Sequence, residues 1–216
     1  MLSPVLCGEK SIEDIIINDR QWYQDNHITL HAGPDKAVVD IDRQRKVVTA
    51  KDGTEAHYDR LLIATGSNPF ILPIPGNDLE GVIAFRDIYD VNKMLSYSET
   101  KQHAVVLGGG LLGLEAANGL AQRGMHVTVV HSNEVLLNRQ LDGTAGHLLQ
   151  LELEKRGVHF KMPAKTQALI DNYDPLTHSR SSALLRINEQ AQVYIDSQIE
   201  DFLDLILDIR CYFLIT

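Results

Sequence analysis

Cysteine is scarce, basic charge is in deficit, and no apolar run is long. Cys7 and Cys211 are the only two cysteines in 216 residues, too few and too far apart for a disulfide framework or a cysteine-based metal site. Their scarcity points to the reducing cytoplasm. No apolar run approaches the roughly 18 residues of a membrane span. Lys and Arg number 20 against 29 Asp and Glu, a net charge of −9, and that balance argues against nucleic acid as a partner, because phosphate binding needs concentrated cations. The N-terminal Met1–Cys7 has no basic region, a short apolar stretch and bulky Leu6 before the cysteine, so it is not read as a secretion signal. His126, His147 and His159 show no metal-ligand spacing, and no Ser-His-Asp or Cys-His arrangement is legible. No acid, base, nucleophile or metal ligand is therefore assigned.

What remains is 44% apolar residues, enough for one large domain or two small ones with a proper core. Ser11 and Asp14 resemble a helix start, after which Ile12, Ile15, Ile16 and Trp22 can share an apolar face. Short strand-like runs follow at Ile28–His31, Ala37–Ile41, Lys46–Ala50 and Glu55–Tyr58, with Asp52-Gly53 as a turn signal, and predict a small antiparallel meander. The continuous apolar run Leu61–Ala64 suits a strand buried on both faces, ended by Thr65-Gly66. Small residues at such a strand end let a ligand or another backbone come close. Pro69, Pro73 and Pro75 mark an extended connector. Val82–Phe85 reads as a strand, and Asp87 or Asp90 can cap a helix running to about Leu95.

The chemistry-bearing motif comes next. His103–Leu107 has a buried-strand pattern, Gly108-Gly109-Gly110-Leu111-Leu112-Gly113 follows at once, and Leu114–Arg123 reads as a helix stopped by Gly124. Met125–His131 supplies the second strand, so the Gly-x-Gly-x-x-Gly sits in a strand–turn–helix–strand unit of the expected size. In such a unit the first glycine permits the tight bend, the second lets a dinucleotide pyrophosphate approach the backbone, and the third lets helix and strands pack closely. The helix N-terminus adds free N–H groups and its dipole. At the ribose-reading position stands His131 rather than Asp or Glu. Neutral, it can accept a ribose hydroxyl; protonated, it tolerates a 2′-phosphate; or it simply caps the strand. NADH is slightly favoured over NADPH, since no Arg adjoins His131. A second crossover, with Asp142 starting a helix that ends at Gly157 and Val158–Met162 as third strand, completes a mononucleotide-binding half. Ile199–Ile209 reads as an amphipathic helix with an acidic face.

The Leu62–Ser67 segment and the Gly108–Gly113 fingerprint together resemble the pyridine nucleotide-disulfide oxidoreductase superfamily. Asn18–Tyr23, Ala64–Phe70, Gly108–Ala117 and Arg139–Asp142 resemble, within it, the large-subunit family of assimilatory NAD(P)H-dependent nitrite reductases, over about residues 2–170. The resemblance implies an α/β fold: a Rossmann-like NAD(P)-binding domain at 76–170, part of an FAD-binding domain at 1–75 (the meander plus a parallel strand), and a divergent tail at 171–216. It implies hydride transfer from NAD(P)H to FAD, with the electrons passing to a sirohaem and iron–sulfur module that this chain does not carry. Gly108, Gly109, Gly110, Leu111, Leu112, Gly113, Glu115 and His131 would serve NAD(P)H, Glu115 toward the nicotinamide end. Val38, Thr65 and Gly66 would approach FAD, and the Ser3 region its ring. The family's own FAD glycine fingerprint would precede Leu2, so the chain is expected to be an internal piece of a longer enzyme with impaired FAD binding. Without a Cys-x-x-x-x-Cys pair, a disulfide-reductase reading fails. The alternatives are a rubredoxin- or ferredoxin-reductase-like flavoprotein and a non-catalytic dinucleotide-binding module.

Overall fold

The computed structural model describes residues 2–170, 173–174, 179–180, 184–187 and 206–208. Its α-helices there are α1 (Ser3–Cys7), α2 (Arg20–Asp25), α3 (Ile88–Thr100), α4 (Leu111–Gln122) and α5 (Gly143–Lys155). Its strands are β1 (Val38–Asp42), β2 (Val47–Ala50), β3 (Glu55–His57), β4 (Val82–Ile83), β5 (His103–Leu107) and β6 (His126–Val130), followed by β7 (Val158–Lys161), β8 (Thr166–Ile170), β9 (Tyr173–Asp174), β10 (Ser179–Arg180), β11 (Leu184–Ile187) and β12 (Ile206–Asp208). The chain divides into two compact units, Ile16–Ser67 on one hand and residues 1–15 with 68–216 on the other. The first fifteen residues thus pack with the later part of the chain, a division that differs from the 75/76 boundary drawn on sequence.

The larger unit is built on a five-stranded sheet in the order β4-β12-β5-β6-β7, whose pairings are all parallel. All five residues of β5 are buried, and they alternate between two cores. Ala104 and Val106 face a cluster with Val127, Val129, Ala117, Leu120 and Met94. Val105 and Leu107 face a smaller one with Val130, Ala164 and Leu169. A strand covered on both faces needs an unbroken apolar run, which is what His103–Leu107 supplies. Asp87 starts α3 through a reciprocal capping box with Asp90, and Asp142 starts α5 by accepting from the Ala145 N–H at 2.8 Å. α3 runs on to Thr100, one turn and more beyond the end expected near Leu95, and Tyr97 in that added turn still packs against the core. β8 and β11 form an antiparallel hairpin.

α1 lies against α4. Leu6 is fully buried at Gly119, where a Cβ would come within 2.8 Å of the Leu6 side chain. Arg123 donates from Nε to the Leu6 carbonyl at 2.8 Å and from its terminal nitrogen to the Val5 carbonyl at 3.1 Å. The cation thus caps the C-terminus of the short helix, binding the Leu6 carbonyl and adding to the Gly8 N–H at the Val5 carbonyl.

The smaller unit holds the expected meander, β1-β2-β3, antiparallel throughout. Several expectations there are corrected. Ser11 and Asp14 do exchange reciprocal bonds, but only one 3-10 turn, Glu13–Ile15, follows. The three-turn apolar face does not form, since Ile15 and Ile16 fall in different units and Ile16 and Trp22 are exposed. Ile28–His31 is not a strand: His27 takes a left-handed φ of 56° after α2, and no ladder partner lies alongside among the described residues. Leu61–Ala64 is exposed and is not a strand, since none of the described strands hydrogen-bonds to it. In the tail, Ile206–Asp208 is strand β12, inserted between β4 and β5, where helix had been expected. A short central strand shows no alternation, so helical spacing of its acidic neighbours misled. The rest of Ile199–Ile209 lies outside the described residues.

Candidate functional site

At the C-terminal end of β5 the chain turns through Gly108, whose φ of 121° suits glycine alone. The Gly108 N–H still belongs to the sheet, donating to the Val130 carbonyl at 2.8 Å. Gly110 is the N-cap of α4 and offers no side-chain cap. The first-turn amides of α4 are therefore left to an external acceptor by the geometry of any helix start.

The remaining glycines have separate reasons. A Cβ on Gly113 would sit 2.1 Å from the Gly108 carbonyl oxygen, so the third glycine lets the first turn of α4 close upon the bend. A Cβ on Gly109 would meet Leu136 at 2.6 Å and the His131 ring at 3.0 Å. A Cβ on Gly110 would meet nothing within 4 Å among the described residues. That last position is open space in front of a helix N-terminus. No described residue fills it, and a helix N-terminus of this kind can receive a dinucleotide pyrophosphate.

His131 directly follows β6. Its Nδ1 accepts from the Gly109 N–H at 3.1 Å, and its Nε2 is buried. The next segment returns to the same glycine, for the Leu137 N–H donates to the Gly109 carbonyl at 3.0 Å. Leu137 holds a left-handed φ of 50° to do so, a conformation costly for a branched side chain. Leu136, fully buried, fills the space behind. Neither leucine was signalled by sequence pattern, because their contact is made across nearly thirty residues. Leu111 is exposed at the mouth of the turn, while Leu112 is half-buried against the core.

Glu115 lies one turn into α4 and accepts from the Ser3 hydroxyl at 2.5 Å. Nearby, burial and the charge of Glu9 push the Cys7 thiol up from its ordinary range, so it is a poor nucleophile. The turn residues and His131 are thus brought together, and Glu115 follows on the same helix. Val38, Thr65 and Gly66 belong to the other unit. Val38 is exposed in β1, and Thr65 and Gly66 close the unpaired Leu61–Ala64 segment, Gly66 with φ 73°. Within Ile16–Ser67 no glycine turn leads a strand into a helix N-terminus, so these three residues alone do not form a cradle for a flavin dinucleotide. Among the described residues no group of three or more His, Cys, Asp or Glu could hold a metal, and no helix is long and apolar enough to cross a membrane.

Comparison with known proteins agrees with this architecture. The family model for pyridine nucleotide-disulphide oxidoreductase matches residues 1–197. Nitrite reductase [NAD(P)H] of Bacillus subtilis (strain 168) is 49% identical over 170 residues, covering 79% of this chain and 21% of that protein. The assimilatory nitrate reductase electron transfer subunit of the same organism is 45% identical over 169 residues, covering 78% of this chain and 22% of that protein. The chain spans about a fifth of the length of these relatives. Among solved structures, an NAD-dependent persulfide reductase from A. fulgidus superposes with a TM-score of 0.76 at 24% identity, over 96% of this chain and 37% of that one. At that identity the likeness shows the fold alone.

Proposed function

The chain belongs to the pyridine nucleotide-disulphide oxidoreductase family, and on that premise we propose that it is the NAD(P)H-binding part of a cytoplasmic FAD-dependent oxidoreductase of the nitrite reductase large-subunit type. The observation that carries this reading is the open space at Gly110, ahead of the uncapped N-terminus of α4. Bound there, NAD(P)H supplies a hydride, for which a flavin is the two-electron acceptor. The amides of Gly110, Leu111 and Leu112 would hold the pyrophosphate. Gly108 and Gly113 shape the bend, Gly109 ties it to His131, and exposed Leu111 offers an apolar contact. Glu115, oriented by Ser3, stands toward the nicotinamide end. The protein's share is to bind and align; no side chain is needed to move a proton.

Val38, Thr65 and Gly66 would touch FAD, but a second Gly-x-Gly-x-x-Gly occurs nowhere in the sequence. The phosphate-holding device that the dinucleotide turn illustrates is therefore single, and FAD binding by this chain is weak. The electron acceptor is a sirohaem and iron–sulfur module carried elsewhere.

Titration of the purified chain with NADH and NADPH, followed by calorimetry, tests the reading. Saturable binding is expected, and Gly110→Val should abolish it by filling the pyrophosphate space. Unchanged affinity in that variant would sink the assignment. Added FAD should leave no tightly bound flavin spectrum; stoichiometric flavin bleached by NADH would instead mean that this chain assembles both sites.

A further inference from the structure

The position that follows the second strand of a dinucleotide-binding unit commonly reads the adenosine ribose through a carboxylate. In this chain that position is occupied by His131, whose only acceptor nitrogen is already used. A neutral imidazole has one acceptor and one donor. Because Nδ1 accepts from the Gly109 N–H, the proton sits on Nε2, and the ring has no lone pair left for a ribose hydroxyl. The same glycine receives a second bond, from the Leu137 N–H to its carbonyl, and Leu136 packs where its Cβ would be. The two peptides that flank the middle glycine of the turn are thereby each held by the segment that leaves β6.

We propose that His131 is a positioning residue: through Gly109 it holds the glycine turn in the shape that receives the dinucleotide, and it does not read the ribose. The inference rests on the proposed NAD(P)H site and deepens it. Releasing the Gly109 N–H would let the Gly108–Gly109 peptide rotate and leave the Leu137 bond alone to hold the peptide that carries the Gly110 N–H, so the Gly110 and Leu111 amides would no longer be fixed on a common acceptor. The effect is therefore on the pyrophosphate, which NADH and NADPH share, and not on the 2′ position, where they differ.

Three variants of the full chain separate the roles. The amide oxygen of His131→Asn lies near the place of Nδ1, whereas that of His131→Gln reaches the place of Nε2. His131→Asn should keep NADH affinity within about threefold, while His131→Gln and His131→Ala lose about tenfold, the worth of one net hydrogen bond. NADH and NADPH should weaken in parallel. Equal losses in the Asn and Gln variants, or a change in the NADH-to-NADPH ratio, would overturn the proposal. Ring nitrogen shifts in a 15N-labelled sample should show the Nε2–H tautomer with and without dinucleotide. A Gly109 amide that exchanges equally fast in wild type, His131→Asn and His131→Gln would also overturn it. If the wild type binds neither dinucleotide, the functional reading fails by itself. The tautomer and amide-exchange results still decide whether His131 holds the turn.

Discussion

Every residue of β5 is buried in the parallel-sheet unit, whereas in Ile16–Ser67 the equally apolar run Leu61–Ile63 lies open, Leu62 being 87% exposed. The two runs are alike in composition and differ in what surrounds them. β5 has β12 and β6 as ladder partners and a core on each face. Leu61–Ile63 has none of these among the described residues. In the smaller unit Val47 and Ala50 are the fully sequestered apolar side chains, while Val38, Val39, Ile41, Ile28 and Leu30 are exposed. An apolar run states a demand for cover, and only tertiary neighbours can meet it.

The largest test of this contrast is a pair of truncations. Leu120, fully buried in α4, should cost about 2–5 kcal/mol as Leu120→Ala, from lost transfer energy and the cavity left behind. Leu62→Ala should change stability by no more than about 0.5 kcal/mol, as for other exposed sites. Urea midpoints for the two variants check this. A Leu62→Ala loss comparable to that of Leu120→Ala would mean that the run is covered in solution.

A second test uses the single tryptophan of the chain, Trp22, which lies in the smaller unit. Its fluorescence reports Ile16–Ser67, while the far-ultraviolet dichroism of α3, α4 and α5 reports the larger unit. The two signals should not coincide in urea: the fluorescence transition comes first, because a unit with so little buried apolar surface opens at lower free energy. Coincident curves would show one cooperative body. A smaller effect within the larger unit is expected for Asp87→Ala, which removes the side-chain half of the capping box at α3 and leaves the backbone N–H bond to Asp90. It should cost about 1 kcal/mol in the dichroism transition and leave the fluorescence transition in place.

Legibility followed the same division. The strand–turn–helix unit could be read because its signals are local: an apolar run buried on both sides, glycines at fixed offsets, Gly124 with φ 87° as a stop. Asp142 as a cap was legible for the same reason. The clamp on Gly109 was not. His131 was placed at the right position, but which of its nitrogens is engaged depends on ring orientation, and Leu136 and Leu137 act across a long loop. Ile28–His31 and Leu61–Ala64 failed for a different cause. Their residues favour strands, but a strand exists only where a partner supplies the ladder, and the same principle turned Ile206–Asp208 into one.

The smallest effect concerns what holds the meander in the absence of a core. Lys36 Nζ lies 2.5 Å from Asp52 Oδ2 and donates to Thr54 Oγ1 at 2.7 Å. The Thr54 N–H donates in turn to Asp52 Oδ1 at 3.1 Å. The Lys36 bond, with help from Thr54, lowers the Asp52 carboxyl to about 2. A depressed carboxylate stabilises fully above its unfolded value of about 3.9 and loses that contribution as pH falls through the folded one. The window for this pair is thus from about 4 down to about 2. Asp52→Asn should weaken the Trp22 transition slightly at neutral pH, and the deficit should vanish as pH falls through that window. Added salt should shrink it as well, since the pair is solvent-accessible and screened. No deficit at neutral pH would instead assign the role of Asp52 to its turn hydrogen bond with Thr54, which the asparagine amide oxygen also accepts. The meander would then be held by backbone geometry, with the ion pair as a bystander.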